Sequence, residues 1–160
     1  MTDYQFLLEE HPTDQDYFHV VRNLVQFNDS RGDPEHWRQL GVFIRDSSGA
    51  ILGGLLGFTH WNWLFVSHLW VADTLRGRDY GGELMRRAEA EARRRGCRHA
   101  HLDTFSFQAR GFYEKLGYEV FGCLADYPPG HSRYFLRKAL VDAVAPPRAE
   151  AVAGEPADPV

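Results

Sequence analysis

The junction between an apolar segment and a helix, from Leu69 to Gly96, is the feature that most constrains this chain. Leu69, Trp70 and Val71 include the aromatic and β-branched residue types that favour a strand. They are followed by a loop rich in glycine and arginine, and then by a helical run to Arg95. The pattern therefore predicts a strand, a loop and an amphipathic helix that ends before a glycine cap. The apolar stripe of this helix consists of Leu84, Met85, Ala88 and Ala92.

The loop at this junction has the composition of an anion site. The first turn of a helix leaves backbone N–H groups without intrahelical partners, and the helix dipole adds positive charge there. Gly77, Gly81 and Gly82 would let a phosphate approach the backbone closely. Arg76 and Arg78 supply charge and forked donors. The sequence thus predicts phosphate binding here, and the alternative is an ordinary strand, loop and helix whose arginines are solvated.

The spacing of this loop differs from the two best-known phosphate loops. No Gly-Lys-Ser/Thr follows, as a Walker loop requires, and the three ordered glycines of a dinucleotide fold are missing. The stretch from Arg76 to Gly81 resembles instead the acyl-CoA loop of the GNAT superfamily of N-acyltransferases, Arg/Gln-x-x-Gly-x-Gly/Ala. It departs from that pattern at Asp79, where the family usually has glycine. Aspartate tolerates a left-handed backbone, so the turn can survive, although the carboxylate would lie near the phosphates.

A second stretch, from Ser106 to Tyr118, is similar to another signature of that superfamily, Asn-x-x-Ala-x-x-Phe-Tyr-x-x-x-Gly-Phe. Ser106 takes the place of the asparagine, and Tyr118 takes the place of the last phenylalanine. With both motifs at the expected separation, the resemblance covers roughly residues 41–140. From Asp103 to Leu140 the sequence is especially similar to small bacterial acetyltransferases of this superfamily. It implies an α/β GNAT fold with a central mixed, mostly antiparallel sheet of about seven strands and about four helices.

The resemblance also implies roles for individual residues. Acetyl-CoA, as cosubstrate, would lie where the strand ending at Val71 separates from the strand around Leu102. Tyr113 would be the general acid that protonates the departing thiolate, and packing of its ring in the core is the alternative. The residues expected to contact the cofactor are Leu69, Trp70, Val71, Arg76, Gly77, Arg78, Asp79, Tyr80, Gly81, Gly82, Ser106 and Phe112.

N-acylation further requires a base, because a free amine is mostly protonated at neutral pH. Members of the superfamily often use a carboxylate on the strand before the CoA loop, but this strand carries Ser67 and His68 instead. Histidine titrates in the useful range, so His68 is the first candidate. Strand alternation predicts that Ser67 and His68 point to opposite faces. The further candidates are His60, Asp103 and His131.

The amine acceptor is only weakly indicated. Aromatic residues at the tip of a predicted hairpin and in a proline-rich loop could form a pocket that shields an amine from water. These residues are His60, Trp61, Trp63, Phe65 and Tyr127. The same residues could instead form core or the face of a homodimer. By the resemblance, Phe27, Asp29 and Trp37 border the acceptor pocket.

Composition limits the remaining possibilities. The chain has 160 residues, of which 44% are hydrophobic and 14% aromatic, as in one packed domain. A net charge of −4 argues against broad nucleic-acid binding. The sequence contains neither an 18-residue apolar run nor a secretory signal, so we expect no membrane association and a cytoplasmic protein. Cys97 and Cys123 lack ligand spacing, so no metal site is predicted.

Periodicity predicts the order of the elements. Tyr4–Glu9 is expected to be a strand, Asp14–Phe27 a helix, and Asp33–Trp37 a short helix with Asp33 as its N-cap. Strands at 41–46, 51–61 and 63–71 form an antiparallel meander, whose three glycines in the second strand indicate a bulge or a close backbone approach. A strand at 99–104, a helix at 108–116 and strands at 118–124 and 132–140 follow. Residues 1–141 thus form one domain, and residues 142–160 are expected to be a disordered tail.

The sequence therefore predicts an acetyl-CoA-dependent N-acetyltransferase. Its acceptor would be a primary amine, most simply of a small molecule, which attacks the thioester directly in a ternary complex. Neither cysteine has an evident activating partner for a covalent intermediate. Two alternatives stay open: a CoA-binding sensor without turnover, and transfer to a protein lysine or N-terminus.

Overall fold

The computed structural model describes residues 4–141. Ten elements follow one another: α1 (Asp14–Arg31), β1 (Arg38–Arg45), β2 (Ile51–His60), β3 (Trp63–Val71), a 3-10 turn (Asp73–Leu75), α2 (Tyr80–Arg94), β4 (His99–Phe105), α3 (Arg110–Lys115), β5 (Glu119–Ala125) and β6 (Ser132–Ala139). The predicted tail at 142–160 lies outside the described residues.

The strands form one six-stranded sheet in the order β1-β2-β3-β4-β6-β5. β3 and β4 pair in parallel, and every other neighbouring pair is antiparallel. The parallel pair arises because α2 returns the chain across the sheet between these strands. The expected mixed, mostly antiparallel α/β sheet is confirmed.

Two predicted elements are absent from the described structure. Residues 4–9 have strand-like composition but are exposed and pair with no strand, so no seventh strand forms. Residues 33–37 are irregular, because their backbone carbonyls bind the β2–β3 turn instead of forming helical hydrogen bonds. The indole Nε1 of Trp61 donates to the Asp33 carbonyl, and the Trp61 N–H donates to the Glu35 carbonyl, both at 2.9 Å. The first helix continues beyond Phe27 to Arg31.

The core lies between the sheet and α2. The predicted stripe of α2 is buried, and it packs with alternate side chains of the strands, among them Leu55, Leu64, Leu102 and Leu136. The other face of the sheet carries mostly aromatic side chains, which none of the described helices covers. We call this the open face, and we define it by Phe43, Leu56, Phe58, Trp63, Phe65 and His101.

A bulge in β3 interrupts the regular alternation. Leu56 of β2 is paired with His68 and Gly57 with Val66, so Ser67 is the extra residue. A Cβ on Gly57 would overlap the carbonyl oxygen of Phe65, which explains why only glycine fits. The bulge or close approach predicted from the glycines of this strand is confirmed.

Candidate active site

A cleft of about 940 Å³ opens where β3 and β4 separate. Their parallel pairing runs only from Trp63 and His99 to Val66 and Leu102. Beyond Val66 the edge of β3 that faces β4 has no strand partner. The lining residues foreseen from the sequence are Ser67, His68, Leu69, Trp70, Val71, Arg76, Gly77, Asp79, Tyr80, Gly81, Asp103, Phe112 and Tyr113, and the others are Val66, Leu75, Thr104, Phe107, Gln108 and Ala109.

Three residues predicted to contact the cofactor, Arg78, Gly82 and Ser106, do not line the cleft. The Ser106 hydroxyl accepts from the Ser132 N–H at 3.2 Å and lies 3.1 Å from Nδ1 of His131. Ser106 and His131 therefore brace the loop before β6. Gln108, for which the sequence predicted no role at the site, lines the cleft. Its side-chain carbonyl accepts from the Phe105 N–H at 2.9 Å and holds the turn between β4 and α3.

The loop before α2 adopts the turn that the glycine-rich pattern requires. Gly77 has φ +74°, and Asp79 has φ +58° in the left-handed region, immediately before the first residue of the helix. Aspartate thus occupies the position at which the motif usually has glycine, and the turn survives as predicted. The first N–H groups of α2 consequently stand at one end of the cleft.

The charges and glycines of this loop have structural partners. The Asp79 carboxylate lies over Gly82 and pairs with Arg86 at 2.8 Å, so its negative charge is largely offset. Arg76 pairs with Asp73 at 2.7 Å, with both side chains mostly exposed. A Cβ on Gly81 would lie 3.2 Å from the Phe112 ring. Glycine at 81 and 82 therefore serves close packing as well as access to the helix N-terminus.

Tyr113 faces the cleft from α3, on the side of the sheet that carries α2. Its ring packs edge-on against Phe112 and Tyr118, with centroids 5.0 and 6.2 Å away. Burial, and secondarily the negative charge of Asp103, raises the pKa of the Tyr113 phenol. The phenol therefore stays protonated at neutral pH and can act as a proton donor.

Ser67 and His68 lie together, contrary to the expectation from strand alternation. The bulge rotates the backbone, and the Ser67 Oγ comes within 2.9 Å of the His68 Nδ1. The Ser67 hydroxyl donates its proton to the Leu56 carbonyl at 3.0 Å. Because that proton is used, this hydrogen-bond network assigns the hydrogen to Nδ1, and Nε2 is left as the acceptor in the neutral ring.

The remaining base candidates lie in different surroundings. The Asp103 carboxylate also borders the cleft, but it pairs with Arg133 at 2.7 Å and is mostly buried. The His60 Nδ1 is 3.5 Å from Glu35, away from the cleft. Burial and the nearby His60 lower the pKa of His101, which keeps that ring neutral.

The predicted acceptor aromatics divide into two groups. Trp61 and Trp63, with His60, line a second cavity of about 290 Å³ at the other end of the open face. Phe65 packs between Phe58 and His101, whereas Tyr127 lies beside Phe105. Among the residues predicted to border the acceptor, Trp37 packs on Phe58, whereas Phe27 and Asp29 lie on α1 away from the cleft.

The described residues 4–141 also include the two cysteines and the candidate metal ligands. They contain no cluster of three or more metal-binding side chains. Cys97 is buried, and burial raises the pKa of its thiol, whereas Cys123 is exposed on β5. None of the described helices is long and apolar enough to cross a bilayer.

Comparison with known proteins identifies the family. Residues 5–118 match the acetyltransferase (GNAT) family. Blasticidin-S acetyltransferase of Streptomyces morookaense is 44% identical over 93 residues, which cover 58% of this chain and 68% of the relative. An acetyltransferase of Agrobacterium fabrum is 36% identical over 115 residues, which cover 72% of this chain and 84% of the relative.

The fold agrees with these matches. The crystal structure of an acetyltransferase from Bacillus cereus superposes with a TM-score of 0.75 and 32% identity, and the match covers 83% of this chain and 97% of that one. The family match, the two relatives and the shared fold lead to one conclusion: this chain belongs to the GNAT family of acetyltransferases and is an acyltransferase.

Proposed function

We propose that this enzyme transfers an acetyl group from acetyl-CoA to a primary amine of a small molecule, by direct attack in a ternary complex. The observation that supports it is the cleft between β3 and β4, which combines an unpaired strand edge, an open helix N-terminus and a protonated tyrosine. The strand edge suits the amides of an extended ligand, the helix N-terminus suits phosphates at one end of it, and the tyrosine suits a thiolate leaving group at the other end.

The unpaired edge of β3 would bind the pantetheine arm. Leu69, Trp70 and Val71 line the cleft beyond the last β3–β4 pair. Successive residues of a strand turn their backbone groups to opposite edges, and Ala72 donates to β2, so the amides of Leu69 and Val71 are the ones that face the ligand, whereas Trp70 faces β2. The first N–H groups of α2 would bind the diphosphate, with added charge from Arg76, which lines the cleft, whereas Arg78 lies outside its lining. The ion pair with Arg86 removes most of the repulsion expected from Asp79.

Acid and base would act from opposite sides of the sheet. His68 is paired in register with Leu56, so it lies on the open face, whereas Tyr113 lies on the face of α2. The His68 Nε2 takes a proton from the amine, whose nitrogen then forms a bond to the acetyl carbon. Bound acetyl-CoA supplies that carbon as a thioester. As the carbon–sulfur bond breaks, the Tyr113 hydroxyl gives its proton to the sulfur, and a backbone N–H near Val71 stabilises charge on the carbonyl oxygen.

A small-molecule acceptor is favoured by a relative. The Streptomyces morookaense enzyme is named for acetylation of blasticidin S and shares 44% identity over 93 residues with this chain. In this chain the acceptor would enter from the open face, where both His68 and Asp103 are found. We place the reaction in the cytoplasm, as the sequence composition predicts.

Release of free thiol from acetyl-CoA, measured with a panel of amines, tests the proposal. The panel includes blasticidin S, polyamines, aminoglycosides and a lysine peptide, and the exposed Cys123 requires a blank without amine. We expect thiol release with at least one small amine. Acetyl-CoA binding by calorimetry without release for any amine would favour a sensor, and superior peptide acceptors would favour protein acetylation.

A further inference from the structure

Helix α1 is amphipathic, but none of its side chains is buried within the part of the chain that the structure describes. Its apolar stripe is half or more exposed at several positions, including Leu24 at 57% and Val20 at 67%. Such a stripe normally packs on an apolar surface, because exposed apolar area is unfavourable in water. The stripe consists of Tyr17, Val20, Val21, Leu24 and Phe27.

The open face presents a matching apolar surface that the described helices leave uncovered. Phe43 and Leu56 are 46% and 44% exposed, and the rings of Phe58 and Phe65 pack against each other on the same face, with centroids 5.2 Å apart. Patches of this kind on a protein usually mark an interaction site. The same chain thus carries an unburied apolar helix and an uncovered apolar sheet face.

The connection between the two elements fixes the point at which α1 leaves the sheet. Residues 33–35 are fastened to the β2–β3 turn by the Trp61 indole and backbone N–H groups, each at 2.9 Å. The Glu35 carboxylate also lies beside His60. These contacts fix where the helix departs, at the end of the sheet furthest from the cleft.

We propose that α1 of one copy packs on the open face of a second copy, in a reciprocal dimer. The five stripe residues expose roughly 90 Å² each, about half of a large apolar side chain. Two helices and two sheet faces would then bury about 1,800 Å², within the range of stable protein interfaces. In a twofold dimer the α1 stripe and the open face of each copy are both covered. The assembly is therefore closed and does not extend into a filament.

The exposed segment before α1 fits the same arrangement. Residues 4–9 have the composition of a strand but pair with no strand among residues 4–141, and within the same range β1 is an edge strand with one unpaired side. A segment carried to the second copy with α1 could add to that edge. The helix would also lie on the face that bears His68 and Asp103, and so would form a wall beside the acceptor side of the cleft.

Analytical ultracentrifugation of matched variants tests the dimer. Leu24→Asp puts a charge in the stripe, whereas Gln26→Asp puts the same charge on the opposite, polar face of α1. We expect a dimer for the wild type and for Gln26→Asp, and at least about 100-fold weaker association for Leu24→Asp. Unchanged circular dichroism would show that Leu24→Asp still folds. A monomeric wild type at 50 μM, or equal dimerisation of both variants, would overturn the proposal.

Cross-linking with isotope mixing tests the exchange itself. Tyr17→p-benzoylphenylalanine protein, prepared separately with ¹⁴N and ¹⁵N, is mixed, equilibrated and photolysed. We expect cross-linked peptides that join α1 to β1–β3 and contain both isotopes in one product. Products of a single isotope only would mean that α1 folds onto its own sheet. Neither experiment depends on turnover, so the result is separable from the proposed acetyl transfer.

Discussion

At the scale of single residues, Tyr113 is the side chain whose proposed role is most directly testable. We expect Tyr113→Phe to lower kcat by about 100-fold or more with little change in the KM for acetyl-CoA, because it removes only the proton donor. Tyr134→Phe is the matched control, since that ring packs beneath Arg110 outside the cleft. Steady-state kinetics measure both, and wild-type kcat in Tyr113→Phe would contradict the role.

The direction of the Tyr113 pKa shift adds a pH criterion to the same variant. Only the protonated phenol can donate, and burial raises its pKa above the ordinary value of 10. The alkaline loss of activity that comes from this group should therefore have its midpoint above pH 10. If kcat instead falls well below pH 10, and falls in the same way in Tyr113→Phe, the alkaline loss of activity belongs to another group.

Ser67 is proposed to position His68 through the bulge. Ser67→Ala removes the acceptor for Nδ1–H, so the ring loses its preferred tautomer and orientation, and we expect kcat to fall about 10-fold. Ser67→Thr keeps the hydroxyl and should restore most of that loss. His68→Gln, which removes the proposed base itself, should lower kcat more than Ser67→Ala does. If kcat falls in Asp103→Asn but not in His68→Gln, Asp103 is the base.

At the scale of elements, the bulge depends on a residue in the neighbouring strand. Gly57→Ala would force a Cβ into the Phe65 carbonyl, so β2 and β3 must move apart or change register. We expect a loss of about 2 kcal/mol or more in the free energy of unfolding, together with reduced activity. Urea denaturation measures the first quantity. Gly111→Ala is the control, since it meets open space within a helix and should be neutral or stabilising.

The elements also differ in how far their sequence predicts them. The stripe of α2 is confirmed residue by residue, because helical periodicity is local and the same face meets the sheet throughout. The strand predicted at 4–9 is wrong for the described chain, because a strand needs a neighbour and composition does not supply one. The helix predicted at 33–37 is wrong because its carbonyls bind Trp61, a partner more than 20 residues away.

At the scale of the whole molecule, Arg95 joins the helix layer to the sheet. Its guanidinium, largely buried, donates to the carbonyls of Arg38 and Gln39 at 3.2 and 3.1 Å and to the Thr59 hydroxyl at 3.2 Å. We expect Arg95→Ala to cost about 2–3 kcal/mol, since it removes three hydrogen bonds at once and one of their acceptors, Thr59, is buried. Arg94→Ala, which removes only an exposed pair with Glu91, should cost less than about 0.5 kcal/mol. Thermal denaturation of the two variants measures the difference, and equal losses would contradict it.

The sequence by itself determined the family, the glycine-containing turn before α2 and the meander, because motif spacing, turn residues and side-chain periodicity are properties of short segments. The tertiary structure alone decided that Ser67 and His68 meet, that Ser106 lies outside the cleft, and that α1 stands clear of its own sheet. Each of these depends on strand register or on a contact between distant segments. Local propensity carries no information about such pairings, since they form only when the chain is folded.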